Sequence, residues 1–160
     1  LSTYSELLLG YDPHYPCPYP PLIDNYSLEF PSSNTSTLNE PSVTNIAGWR
    51  ISARLMSSMP KNIGEDPFTA WFDSSIVNHP ASIRARIAGD RFQPAGMHGE
   101  QKLQDFMVNS KIPRSWRHQV PLLICKSGIA WVIGYRIAEW ARFKSEATEC
   151  LEVSFRPAVS

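Results

Sequence analysis

The chain has 160 residues, room for one domain or one and a half, and 42% of them are apolar, enough for a modest core. No apolar run approaches the roughly 20 residues of a membrane-spanning helix. Fifteen basic residues balance fifteen acidic ones, which excludes a uniformly basic nucleic-acid coat and leaves only a local basic surface. Cys17, Cys125 and Cys150 are odd in number and widely spaced. They form neither a disulfide framework nor a paired zinc motif, a pattern that favours a reducing, cytoplasmic compartment. The chain opens on Leu1 without a charged-then-apolar signal segment, as expected of a piece of a longer polypeptide.

Residues 11–21 hold five prolines, which fix φ and remove backbone donors. Residues 1–25 therefore read as an extended Pro/Tyr-rich connector. Tyr11, Tyr15 and Tyr19 recur every four residues and either lie against a neighbouring surface or form a ligand for a proline-binding module. Residues 26–75 read as a β-strand region that packs on the following domain, interrupted over 31–45 by a Ser/Thr/Asn-rich, mobile loop. Within it, Trp49, Ile51, Ala53 and Leu55 alternate with Arg50, Ser52 and Arg54, the pattern of a half-buried strand. Phe68, Ala70 and Phe72 make a second alternation.

Residues 76–160 read as the main domain. Ile83, Ala85 and Ile87 alternate with Arg84 and Arg86, which places both guanidiniums on one face of a strand ended by a turn at Gly89-Asp90. A helix is expected over 100–110, with Leu103, Phe106 and Met107 as its buried stripe. Pro113 opens a second short helix over 113–119, and Pro121 prevents its continuation. Residues 122–125 and 129–134 read as a hairpin about Ser127-Gly128, and 150–155 as the last strand. The sum is an α+β, β-rich domain with two short helices.

Charge is unevenly spread. Residues 1–80 carry three cations against eight acids, residues 81–120 seven against three, and residues 121–160 five against four. Neutrality thus conceals a basic block of forty residues, either a solvated face or a site. The four histidines lie far apart in sequence, no catalytic constellation is expected, and neither metal ligands nor a Walker-type GK[ST] loop is recognisable.

Within this block the residues form an ordered series: Arg84-x-Arg86-x-x-Gly89-Asp90-Arg91-Phe92-x-Pro94-x-Gly96-Met97-x-Gly99, Lys102-Leu103-x-Asp105-Phe106, and Lys111-Ile112-Pro113-x-x-x-Arg117. Val120-Pro121-Leu122 and Trp131-Val132-x-Gly134-x-Arg136 complete it, and Trp71-Phe72-Asp73 lies upstream. This series resembles the C-terminal domain of tRNA(Ile)-lysidine synthase; residues 1–65 show no comparable match. The resemblance implies a small layered, β-sandwich-like fold, similar to a module of the phenylalanyl-tRNA synthetase β chain. It implies a parent enzyme that ligates lysine to an anticodon cytidine of isoleucine tRNA, with ATP and Mg held by a separate catalytic domain. This chain lacks the family's SGGxDS pyrophosphatase loop, so the fragment itself is expected to be non-catalytic and without a cofactor of its own. The implied role is tRNA binding and substrate positioning, with isoleucine-accepting tRNA and the catalytic domain as partners and no membrane. The alternative is a structural or protein-interaction module without RNA binding.

A duplex stem demands spaced cations and backbone donors rather than base readout. The expected RNA-binding residues are Arg84, Arg86, Arg91, Gly96, Gly99, Lys102, Lys111, Arg114 and Arg117. Gly96 and Gly99 would let backbone approach a phosphate in front of the expected helix, where Glu100 competes for the same helix end. Arg91 serves either a salt bridge across the turn or a phosphate. Asp90 is expected to cap the turn, and Trp116 to anchor the core.

Overall fold

The computed structural model describes residues 17–31, 40–58, 60, 64–78, 80–126, 128–143 and 149–158. Tyr11, Tyr15 and the centre of the expected Ser/Thr/Asn-rich loop lie outside them. Eleven strands form antiparallel ladders: β1 (Tyr26–Leu28), β2 (Ser42–Ile46), β3 (Trp49–Met56), β4 (Thr69–Asp73), β5 (Ala81–Arg84), β6 (Arg91–Phe92), β7 (Gln101–Lys102), β8 (Leu122–Cys125), β9 (Gly128–Val132), β10 (Arg136–Ile137) and β11 (Cys150–Pro157). Among the described residues, one α-helix, α1 (Leu103–Asn109), and 3-10 turns at Ser74–Asn78, Arg114–Trp116 and Glu139–Ala141 complete the order. A five-stranded sheet runs β1-β5-β8-β9-β10, a four-stranded sheet β2-β3-β11-β4, and β6-β7 form a small ribbon. Neither large sheet closes on itself, and the result is the strand-rich α+β architecture that the alternations predict.

Strand β3 follows its sequence pattern: Trp49, Ile51, Ala53 and Leu55 are buried, and the residues between them are not. β11 lies beside β3 along its whole length, from Cys150 opposite Met56 to Pro157 opposite Trp49. β4 takes its other edge. Glu152 on β11 ties the three strands together, accepting from Arg54 Nε at 2.9 Å and from Trp71 Nε1 at 3.1 Å. The two sheets meet through aromatic rings. Trp131 of β9 stands edge-on to Phe72 of β4 and Phe155 of β11, with centroids 5.8 and 5.5 Å apart.

Tyr19, the described member of the tyrosine series, is buried. Its ring lies within 6.1 Å, centroid to centroid, of Trp49, Phe68 and Trp116. Its hydroxyl shares a 3.0 Å hydrogen bond with that of Tyr135. Pro20 follows it onto the β2–β3 turn, where Ala47 and Gly48 both adopt positive φ, the signature of a two-residue type I′ hairpin. A Cβ on Gly48 would come within 2.9 Å of Pro20 Cβ, so both conformation and space require glycine there.

Four expectations are corrected. Residues 42–45, read as loop, belong to β2; a short polar edge strand lacks the apolar run that betrays a strand. The third alternation ends at Arg84, because Asp90 folds back on it, and Ile87 is 60% exposed. The helix begins at Leu103 rather than 100, because Gln101 and Lys102 pair with β6 as β7; its buried residues are the expected Leu103, Phe106 and Met107. The second helix shortens to the 3-10 turn Arg114–Trp116 between two prolines, with Trp116 buried as expected.

Cys125 is buried, and burial pushes its thiol up to about 12. Thiolate is therefore scarce at neutral pH. Iodoacetamide at pH 8 is expected to leave Cys125 unlabelled in the folded chain and to label it fully in urea, read by peptide mass spectrometry. Equal labelling in both states would contradict the packing around β8.

Candidate functional site

The basic block folds around the Gly89-Asp90 turn. Arg84, at the end of β5, reaches back to Asp90 in a bidentate pair, with Nη1 to Oδ2 and Nη2 to Oδ1 both at 2.9 Å. Asp90 Oδ2 also accepts the Ile87 N–H at 2.8 Å, so this side chain caps the turn as expected. Burial pushes the Asp90 carboxyl up, but the Arg84 and Ile87 hydrogen bonds and the charges of Arg84 and Arg86 outweigh it and hold the carboxyl below its ordinary value. The Asp90 carbonyl accepts the Leu103 N–H at 2.9 Å, which brings the start of α1 beside the turn.

This placement assembles a cavity of about 340 Å³ whose lining includes Arg86, Gly89, Asp90, Arg91, Lys102 and Leu103. Arg91 and Lys102 face each other directly across the β6–β7 ribbon. Such partners hold their Cβ atoms about 4.5–5.5 Å apart. Arg91 pairs with Glu100 at 3.0 Å, a bond between exposed side chains. Of the two roles expected for Arg91, the ion pair is therefore present, although it runs to Glu100. Arg86 Nε is buried without a hydrogen-bond partner.

The expected phosphate approach at Gly96 and Gly99 is geometrically different from the sequence reading. Both have positive φ and open space where a side chain would project. Neither abuts a helix, since residues 101–102 form β7, and Glu100 caps no helix end. The Gly96 N–H donates to Glu139 Oε1 at 2.8 Å, a bond across 43 residues that no local pattern signals.

Lys111, Arg114 and Arg117 do not line the cavity around the turn; they follow the far end of α1. Lys111 is exposed and adopts φ +59°, the left-handed region. Its N–H donates to the Val108 carbonyl at 3.0 Å and the Ile112 N–H to the Met107 carbonyl at 3.1 Å. That is the Schellman pattern, with lysine where glycine usually stands. Arg114 is exposed, and Arg117 Nε donates to the Ile112 carbonyl at 3.1 Å. Among the described residues, only Arg84 and Arg91 of the seven cations in this block make ion pairs. No group of three or more His, Cys, Asp and Glu among the described residues could hold a metal ion, and no described helix is long and apolar enough to cross a membrane.

Comparison with known proteins finds similar sequences and a similar fold. Residues 81–154 match the family model of the TilS substrate C-terminal domain. The tRNA(Ile)-lysidine synthase of Dehalococcoides mccartyi is 35% identical over 154 residues, 96% of this chain and 31% of that protein. Its alignment extends well into residues 1–65, where the sequence alone shows no match. The enzymes of Clostridium tetani (38% identical, 61% of this chain, 21% of that protein) and Symbiobacterium thermophilum (37%, 62% and 20%) match as well. The chain thus spans only about a fifth to a third of these relatives. A solved structure described as the TILS C-terminal domain shares the fold, with a TM-score of 0.65 at 22% identity, covering 86% of this chain and 100% of that one. Residues 81–154 thus resemble the TilS substrate C-terminal domain, and the chain resembles about a third of the length of a tRNA(Ile)-lysidine synthase.

Proposed function

We propose that the chain is the tRNA-binding, substrate-positioning domain of a cytoplasmic tRNA(Ile)-lysidine synthase, and that the fragment itself is non-catalytic. The observation that carries this reading is the set of cations that make no ion pair among the described residues: Arg86, Lys102, Lys111, Arg114 and Arg117. Cations of this kind neutralise phosphates and release counterions without reading sequence. Lys111 strengthens the case. A left-handed lysine is less stable than glycine at the same place, and use of its side chain would offset that cost. Isoleucine tRNA as the RNA, and ATP and Mg on a separate catalytic domain, follow from the family alone. The division into 1–25, 26–75 and 76–160 belongs to the proposal too; the pairing of β11 with β3 and β4 supports the packing of 26–75 on the domain that follows.

The test is tRNA binding across a salt series. Lys111→Gly is expected to raise stability by about 0.5–1 kcal/mol while weakening tRNA binding. With Arg114→Ala added, the slope of log K against log salt should fall by roughly 0.7–0.9 for each phosphate no longer neutralised. Unchanged affinity and slope in the folded double variant would remove these residues from the RNA surface. Absence of binding by the unaltered chain at low salt would favour a protein-interaction module. Ile23, 89% exposed, and Ile87, lining one cleft beside Arg84, are what such a module would present.

A further inference from the structure

We propose that the cavity between the Gly89-Asp90 turn and the β6–β7 ribbon is a seat for a single phosphoryl group, held by Arg86, Lys102 and Arg91. The inference deepens the RNA-binding reading and rests on it for the source of the phosphate, but the seat is testable without RNA.

The argument is one of unbalanced charge in a confined place. Four cations, Arg84, Arg86, Arg91 and Lys102, gather around two carboxylates, Asp90 and Glu100. Asp90 is already engaged: Arg84 donates to both of its oxygens, and the Ile87 N–H donates to Oδ2 as well. Arg86 lines the same cavity and makes no ion pair among the described residues. Across the cavity Lys102 has no ion pair among the described residues and stands opposite a second cation, Arg91. Like charges directly opposed on a ribbon repel, and an anion between them reverses the sign of that interaction. Glu100 answers Arg91 alone, through a bond with 47% and 59% of the two side chains exposed. Exposed pairs of this kind are weak, so Arg91 can exchange Glu100 for a phosphate oxygen at little cost.

The walls suit a small anion. Ile87 and Leu103 supply apolar surface that raises the field of the cations above its value in open water. Gly89 leaves bare backbone at the rim, with nothing within 4 Å of where a Cβ would project. Guanidinium groups match phosphate oxygens in planar, charge-assisted hydrogen bonds. Asp105, in the first turn of α1, lies outside the lining. The seat is distinct from the Lys111–Arg114–Arg117 group, so a phosphate here would fix register while that group supplies diffuse attraction.

The experiment titrates the 160-residue chain with inorganic phosphate against chloride at equal ionic strength, followed by amide NMR. Saturable shifts at Gly89, Arg91 and Lys102 are expected. Arg86→Gln and Lys102→Gln should each weaken phosphate binding roughly tenfold, whereas Arg114→Gln should not. Lys102 is exposed, so Lys102→Gln keeps the test open if Arg86→Gln fails to fold. Shifts no larger than those from chloride, or phosphate binding untouched by Lys102→Gln, overturn the seat.

A second arm compares a short RNA hairpin carrying a 5′-monophosphate with the same hairpin ending in a 5′-hydroxyl. Tighter binding of the monophosphate, abolished in Lys102→Gln, identifies a terminal phosphate as the occupant. Equal binding of the two hairpins, weakened by Lys102→Gln, identifies an internal phosphodiester. Phosphate binding without RNA binding upholds the seat and defeats the RNA reading. RNA binding unaffected by Lys102→Gln, with no phosphate binding, upholds the RNA reading and defeats the seat.

Discussion

Asp90→Ala is expected to destabilise the chain by about 2–3 kcal/mol, a large fraction of a small domain's total stability. The loss comes mainly from what is left behind. Arg84, with 19% of its side chain exposed, keeps its charge and loses both carboxylate acceptors, and the Ile87 N–H loses its own. The pH dependence gives a sharper signature. The folded-state carboxyl of Asp90 is held below its ordinary value, so its contribution is fully present above the unfolded pKa of about 3.9 and is lost as pH falls through the lower folded value. Asp66 behaves alike: burial raises its carboxyl, while bonds from Phe68, Thr69 and Arg156 and the charge of Arg156 outweigh that and lower it. The unaltered chain should therefore lose stability as acid is added below about pH 4, and Asp90→Ala should lose less over that window. Parallel urea-derived stability curves for the two proteins between about pH 5 and pH 2 would show that the pair does not support the turn.

Trp131→Ala should cost more, about 3–5 kcal/mol, because it empties the junction between the two sheets. Trp131 is 2% exposed and edge-on to both Phe72 and Phe155. Trp131→Phe should recover part of the loss by keeping a ring there. Urea midpoints followed by far-ultraviolet dichroism and by tryptophan fluorescence are expected to shift together, since the sheets share this core. A cost below about 1 kcal/mol would mean that the sheets are held by other packing.

Legibility in the sequence follows the physics of each element. β3 is readable because its apolar residues alternate over a full strand, and α1 because Leu103, Phe106 and Met107 repeat at helical spacing. β2, β6 and β7 are not, since a polar edge strand and a two-residue ribbon carry no period. The start of α1 is hidden for the same reason, because pairing with β6 claims residues that local preference would leave to a helix. At the candidate site, the residue types and their clustering are visible, but their pairing is not. Which arginine finds an acid is decided by turn and ladder geometry: Arg84 meets Asp90 across six residues, and Arg91 meets Glu100 across nine. The claim of Glu139 on the Gly96 N–H depends on the 3-10 turn beyond β10, which no local motif announces. The family resemblance locates the region, whereas the cations without counter-charge within it emerge only from the fold.

The position of β11 has a consequence for how this chain is made. β3 and β4 are not neighbours; each waits for residues 150–157 to lie between them. During synthesis both strands leave the ribosome long before β11 does. Until it arrives, each carries an edge of backbone donors and acceptors with no partner, and the slot between them fits any extended segment nearby. Charged side chains on a strand edge discourage such stray pairing. Arg50 and Arg54 of β3, which in the finished sheet stand opposite Arg156 and Glu152, put such charges on this strand.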